Sequence, residues 1–283
     1  MARPFMELLA EETDGDLTVD YFGPDAVSSL EQVEPVQSGV FDIVFTHPAY
    51  HAGLSPLGVA IDGVGADPVK RREAGIIDFL DAHYQSLGLK LLAAPAAGSK
   101  GFRFYLKDQI ASDLALDGMK LRATVSYQPM IEGLGGSVVV LPGGEVYSSL
   151  QRGVVDGAAW TLVGAYNYGW HEVAGYMTAP EFGQVGTMLL MNLDRYEGLS
   201  DKDKAALDRV AERLERTSIE RFDALAEVEK TKLLGAGVQI TSFGTDVDLD
   251  RLFAEGVWAV AAKGDAEAAA AFRELAKSAG LSD

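Results

Sequence analysis

The apolar positions of the chain follow two periodicities. Phe5, Leu8 and Leu9 share one face of a helix expected over residues 4–13, which starts on Pro4 and stops at Asp14-Gly15. Leu17-Thr18-Val19-Asp20-Tyr21-Phe22 alternates and reads as a strand stopped by Gly23-Pro24. Residues 27–38 read as a helix closed by Gly39, and residues 41–46 as the next strand. A helix over residues 73–87 then feeds a short apolar strand at 89–94. This strand–helix–strand rhythm predicts a mostly parallel sheet covered by helices.

From Gly101 the texture changes, and a second lobe is expected. Residues 102–106 and 119–123 read as strands, the latter entered through the turn Asp117-Gly118. A helix at 127–134, a strand at 137–141, a helix at 143–152 stopped by Gly153 and a strand at 155–160 follow, without any internal repeat. Ser200 is an N-cap followed by Asp201 and Asp203, where carboxylates favour the helix dipole. The helix it opens runs to Leu234, before Gly235 and Gly237, with Leu207, Val210, Leu214, Ile219, Phe222, Leu225 and Val228 on one face. Such a helix is on the order of 50 Å long, longer than one lobe, so it is expected to brace both. The alanine-rich stretch 263–274, interleaved with Asp265, Glu267 and Arg273, reads as one more helix.

Composition narrows the function classes. The chain has 283 residues, 48% of them hydrophobic, with 42 acidic against 24 basic side chains and a net charge of −18. That content supports a buried core, and the acidic balance argues against nucleic acid as a partner. The absence of cysteine excludes a disulfide framework, a thiolate metal site and a cysteine nucleophile. No run of 18 or more apolar residues is present to span a bilayer, so direct membrane insertion is not expected. The first twelve residues lack the pattern of a secretory signal, which leaves a cytosolic protein or a signal lying upstream as the two readings.

Candidate chemistry is sparse. His47 and His51 have the i, i+4 spacing of paired ligands, but Pro48 lies between them and HExxH is absent, so a cleft-rim loop of hydrogen-bonding histidines is the preferred reading. His83 and His171 read as surface residues. Gly133-Leu134-Gly135-Gly136 precedes a strand instead of following one and reads as a helix stop, and no GxSxG nucleophile elbow exists. What stands out is positive charge inside apolar strands: Arg122 in Met119-Lys120-Leu121-Arg122-Ala123, and Arg103 between Phe102 and Phe104. A guanidinium fork matches a carboxylate bidentately, so each either binds an acidic ligand or pairs with an acidic neighbour at the sheet surface.

These stretches carry a resemblance. Leu116-Asp117-Gly118-Met119-Lys120-Leu121-Arg122, Gly135-Gly136-Ser137-Val138-Val139-Val140-Leu141-Pro142 and Glu145-Val146-Tyr147-Ser148-Ser149-Leu150-Gln151-Arg152-Gly153-Val154-Val155-Asp156-Gly157 closely resemble the solute-binding subunits of TRAP (tripartite ATP-independent periplasmic) transporters. Val36-Gln37-Ser38-Gly39-Val40-Phe41-Asp42 and Met191-Asn192-Leu193-Asp194-Arg195-Tyr196-Glu197-Gly198-Leu199-Ser200 are similar to two further motifs of that family.

The resemblance implies an α/β, two-lobed periplasmic-binding-protein-like fold with a ligand cleft between the lobes and a long helix spanning both. Residues 1–100 with about 188–228 are expected in lobe I, and residues 101–187 with about 229–283 in lobe II. It further implies that Arg122 pairs with a ligand carboxylate, that Arg103 supplies a second polar contact and that Trp160 lines the site. Pocket shape is expected from His47, Tyr50, Tyr127, Phe182 and Gln184. One branch of the family has a glutamate that helps hold a metal ion where this chain has Ala159, so no metal and no cofactor are expected. The family's first strand precedes the first helix, so it is expected to come from upstream, together with the signal, and to lie against residues 17–22 or their neighbour. The implied function is a periplasmic receptor for a small organic acid that delivers it to TRAP membrane subunits, with no reaction catalysed. The alternatives are a cytosolic enzyme on a related scaffold and a sensory receptor with no transport partner.

Overall fold

The first helix, α1 (Ala2–Glu12), buries Phe5 and Leu9 on one face, as their spacing requires. It is followed by α2 (Val33–Gln37), β1 (Ile43–Thr46), α3 (Pro68–Glu73), α4 (Ile76–Gln85), β2 (Leu89–Ala93), β3 (Phe102–Leu106), β4 (Lys120–Arg122) and α5 (Gln128–Gly133). Then come β5 (Ser137–Val139), α6 (Val146–Gln151), β6 (Gly157–Thr161), β7 (Tyr176–Thr178), β8 (Met188–Asn192), α7 (Leu193–Glu197), α8 (Asp201–Gly235), β9 (Gln239–Thr241), α9 (Leu249–Ala262) and α10 (Ala266–Ser278). The computed structural model describes residues 1–23, 26–111, 115–244 and 246–283; Pro24, expected to stop the first strand, lies outside them.

Two sheets organise these elements, a three-stranded one in the order β1-β8-β2 and a six-stranded one in the order β5-β4-β6-β3-β7-β9. The first is antiparallel, against the expectation of a parallel sheet. β1 and β2 run the same way, as their helical connection demands, but β8 arrives from about a hundred residues later and inserts between them in the opposite direction. The second sheet is mixed: β4 is parallel to both β5 and β6, and β3 is antiparallel to β6 and β7. β8 is buried along its whole length, with Met188 and Leu190 in the core beneath α4 and Leu189 and Met191 in the core beneath α1 and α8. Its unbroken Met-Leu-Leu-Met run is what a strand covered on both faces requires.

The segments that join the two sheets lie side by side. β2 pairs with β8, the bridges Ala96–Gly186 and Phe102–Phe182 continue the antiparallel contact, and β3 pairs with β7. Carboxylates from flanking elements accept the backbone N–H groups left over in this crossing. Asp62 accepts from Gly186 at 2.8 Å, Asp250 from Gly183 at 2.8 Å, Asp223 from Ser99 at 2.7 Å and Glu215 from Ala94 at 2.8 Å. Asp223 and Glu215 belong to α8, a helix of 35 residues capped by the Ser200 side chain on Asp203 N. It therefore braces both lobes, as its length predicts.

Several expectations are corrected. Residues 17–22 form no strand: Gly15 at φ +83° turns the chain back, Leu17 N donates to Thr13 Oγ1, and Tyr21 and Phe22 are exposed at 54% and 61%. The helix at 27–38 shrinks to α2, because Pro35 fits only in a first turn. The helix at 73–87 is α4, which starts only at Ile76 because Gly75 at φ +75° occupies the left-handed region and separates it from α3, a helix that was not expected. On α8, Leu207, Val210 and Leu214 are buried, but Leu225 and Val228 are 43% and 52% exposed. Past Ser218 the helix leaves the first lobe and meets the second through Glu229 and Leu233 instead, a different face. Helix α10, which a division at about residue 229 places with the second lobe, packs in the core of the first, with Phe272 stacked on Phe79.

Gly186 sits where a crossing segment meets the short 3₁₀ helix Leu57–Gly63, and a Cβ there would lie 2.5 Å from Ile61 Cγ2. Ile61 is fully buried and has no room to yield. Gly186→Ala should therefore cost about 1–3 kcal/mol, read as a lowered Tm in calorimetry, whereas an alanine at the open turn position Gly144 should leave packing unchanged.

Candidate functional site

β4, β5 and β6 are parallel, so their carboxyl ends lie along one edge of the larger sheet, and antiparallel β3 begins at that edge. In open α/β sheets this is the edge at which ligands bind. Arg122 is the last residue of β4, Trp160 is one from the end of β6 and Arg103 is the second residue of β3. Register places them on one face, because Arg103 pairs with Trp160 and Arg122 with Ala158, two residues before Trp160. Leu121, Phe102 and Phe104 alternate to the opposite face and fill the core there.

The two arginines meet different fates. Arg122 is 1% exposed, its Nε donates to Leu141 O at 2.9 Å and its Nη1 to Ala159 O at 3.3 Å. Its guanidinium stacks over the Trp160 ring at 4.6 Å, and Nη2 is buried with no hydrogen-bond partner among the described residues. Among the described residues no carboxylate pairs with it. Arg103 is 3% exposed and does have such a partner: Nη2 pairs with Glu181, Nη1 faces Met177 Sδ at 2.9 Å, and Nε has no partner. Trp160 is half-buried against Trp170 and Tyr168, with its Nε1 buried and without an acceptor. Ala159 turns its side chain into the opposite core and offers Arg122 its carbonyl.

The first lobe meets this edge at the end of β1. His47 N-caps the 3₁₀ turn Pro48–His51, its Nδ1 accepting from Ala49 N at 3.2 Å. That bond leaves the proton on Nε2, which lies 3.2 Å from Asp62 Oδ2. Asp62 also accepts from Ser126 Oγ at 3.3 Å, so one buried carboxylate joins the first lobe, the crossing segment and the second lobe. His47 is in edge contact with Tyr50 and Phe102, Phe102 with Tyr127, and Tyr127 with Phe182. Burial pushes the Tyr127 hydroxyl well above the phenol range, with Arg122 opposing and Asp62 and Tyr50 adding to it, so the group stays a neutral donor.

Structure thus brings Arg122, Trp160 and Arg103 onto one face at the edge, and links His47, Tyr50, Tyr127 and Phe182 through aromatic contacts beside it. Gln184 is not brought to either group: its Nε2 donates to Ser99 O on the crossing. Sequence reasoning missed Asp62, Thr46, Thr124 and Ser126. The hydroxyls of Thr46 and Thr124 are buried without partners, one from each lobe. Asp62 left a signal, a lone carboxylate in the apolar run Val59-Ala60-Ile61-Asp62-Gly63-Val64. A cavity of about 970 Å³ lies elsewhere, between α1, the 17–23 stretch, β1 and β8, and none of the candidate residues lines it.

The other histidines hold structure. His51 is buried, with Nε2 2.7 Å from the Tyr84 hydroxyl, and His83 is half-buried on Ser55 Oγ at 2.9 Å. His171 is half-buried and stacked on Tyr166. The last two are therefore not the surface residues expected. His47 and His51 behave as hydrogen-bonding histidines of a turn. Among the described residues no group of three or more histidine, aspartate or glutamate side chains is placed to hold a metal ion.

Comparison with known proteins identifies the class. Residues 1–252 match the model of the bacterial extracellular solute-binding protein family 7, and the chain belongs to that family. This is a family of binding proteins, not of enzymes. The chain is 26% identical over 258 residues to the monocarboxylate 2-oxoacid-binding periplasmic protein of Nostoc sp., covering 87% of this chain and 70% of that protein. It is 25% identical over 254 residues to the ectoine-binding periplasmic protein TeaA of Halomonas elongata, covering 85% and 72%. Among solved structures, a TRAP periplasmic solute-binding protein of Desulfovibrio salexigens with bound orotic acid superposes with a TM-score of 0.84 at 21% identity, over 98% of this chain and 94% of that one. One from Chromohalobacter salexigens with bound d-glucuronate gives 0.82 at 22% identity, over 98% and 94%. At these identities the two structures establish the fold, which is the two-lobed α/β fold expected.

Burial lowers the His51 pKa to about 3, with the nearby His47 adding to the effect. The folded value lies below the unfolded one near 6.5, so the unfolded chain binds a proton that the native chain does not. The stability contributed by neutral His51 is present above pH 6.5 and is lost as pH falls toward 3, at up to about 1.4 kcal/mol per pH unit. Denaturant unfolding at pH 7 and pH 5 should show this loss, and His51→Gln should flatten the difference.

Proposed function

We propose that this chain is a periplasmic receptor that captures a small organic acid by its carboxylate at the edge between the two lobes and hands it to TRAP membrane subunits. The observation that carries the reading is Arg122: a buried, always-charged guanidinium, held by two carbonyls and a tryptophan face, with one N–H pair uncommitted. A buried cation without an anion is costly, and a ligand carboxylate accepting from it recovers that cost as affinity. Family membership supports the same reading, as do relatives named for binding a monocarboxylate 2-oxoacid and 2,3-diketo-L-gulonate.

In this reading Arg122 anchors the carboxylate and Trp160 fixes the plane of its guanidinium. Tyr127 donates a neutral hydroxyl, and His47 with Tyr50 covers the ligand from the first lobe. A ligand that touches both lobes stabilises the closed arrangement by its differential contacts, which is how occupancy is signalled to the membrane partner.

Charge-assisted hydrogen bonds contribute about 1.5–3 kcal/mol each. Arg122→Ala should therefore weaken binding at least tenfold when the protein is titrated calorimetrically with those 2-oxoacids, uronates and short dicarboxylates that raise the wild-type Tm. Arg122→Lys should restore it only partly, because an ammonium cannot donate as a fork while stacked on Trp160. Unchanged affinity in Arg122→Ala would rule out the assignment.

A further inference from the structure

Glu181 occupies the crossing segment just after β7, and it takes a position at the edge that the sequence alone does not assign. Its carboxylate pairs with Arg103, whose side chain is almost fully buried, while its own side chain remains 25% exposed. Arg103, Trp160 and Arg122 share one face, with β6 between the two arginines, so their strands stand roughly 10 Å apart across the sheet. The edge therefore presents two cations of which one is already neutralised. Asp62, across the edge beside Tyr127 and His47, adds a second negative charge.

Resting on the carboxylate-receptor reading, we infer that Glu181 is a specificity-determining residue that restricts the ligand to a single carboxylate. A first carboxylate goes to Arg122, which has no acid beside it. A second, at the far end of the same ligand, would reach Arg103 only by displacing Glu181 or by lying against it, two like charges in a poorly solvated place. A hydroxyl at that end meets the opposite situation, since Glu181 is an acceptor and the hydroxyl a donor. The chemistry selected is a monocarboxylate carrying a hydrogen-bond donor away from its carboxylate. Of this pair the guanidinium is buried and the carboxylate a quarter exposed, so Glu181 is the member that a ligand can reach.

The test compares ligands that differ only in the second carboxylate, gluconate against glucarate and 4-hydroxybutyrate against succinate, titrated calorimetrically into the full chain. Wild type should prefer the single carboxylate at least tenfold in any pair that binds. Glu181→Gln keeps the shape and the oxygen facing Arg103 but removes the charge, and it should raise affinity for the dicarboxylate at least tenfold while changing the hydroxy acid less than threefold. Glu181→Asp, which keeps the charge, should retain the wild-type preference, and far-ultraviolet circular dichroism checks that both variants fold. A dicarboxylate bound by wild type as tightly as its partner, or a preference unmoved in Glu181→Gln, overturns the inference and leaves the receptor reading standing. If neither pair binds, the same comparison is made on the carboxylates released from the purified protein and identified by mass spectrometry. There a single-carboxylate ligand supports the inference, a dicarboxylate overturns it, and a released ligand with no carboxylate overturns the receptor reading with it.

Discussion

The structure depends on two chain segments that cross between the lobes in opposite directions and pair along the way. Pairing them satisfies most of their backbone groups, but the crossing is irregular and leaves N–H donors behind. Four carboxylates accept those donors, from Asp62, Glu215, Asp223 and Asp250. The bonds from Ala94 and Gly186 are buried, where an N–H without an acceptor costs about 1–3 kcal/mol, so Glu215 and Asp62 fix where the crossing runs. Because Asp62 also touches His47 and Ser126, the same carboxylate that secures the crossing sets one wall of the candidate site.

Three buried arginines show how context divides one chemistry into three roles. Arg71 gives its donors to the carbonyls of Gly65, Ala94, Ile61 and Val64 and ties a loop to the first lobe. Burial lowers its pKa to about 10, against the opposing pull of Glu215, Asp62 and Asp67, which leaves it charged at neutral pH. Arg103 is neutralised by Glu181. Arg122 is supported on three sides but not neutralised.

Much of this was legible in the sequence, for physical reasons. Periodicity located the helix from Ser200 and the strands at 102–106 and 120–122, since each buries a face that its own residues define. What alternation does not encode is a partner: residues 17–22 alternate without a neighbouring strand to pair with, and β8 decided the direction of the small sheet from far along the chain. The site shows the same limit. Phe102-Arg103-Phe104 and Leu121-Arg122-Ala123 look alike as strings, and only folding brings Glu181 to one arginine and carbonyls to the other. Gln184 was expected at the pocket along with Phe182, yet two residues along a crossing segment it donates to Ser99 O instead.

The middle position of β8 bears on the order in which the protein can come into being. When β1 and β2 have left the ribosome, the strand that must lie between them is still about a hundred residues away, roughly 5–20 s at ordinary rates of synthesis. Until then the first lobe has two apolar strands that cannot pair with each other and a core that cannot close. The small sheet is thus held open by its own topology until β8 is available, whereas five of the six strands of the larger sheet precede β8 in the chain.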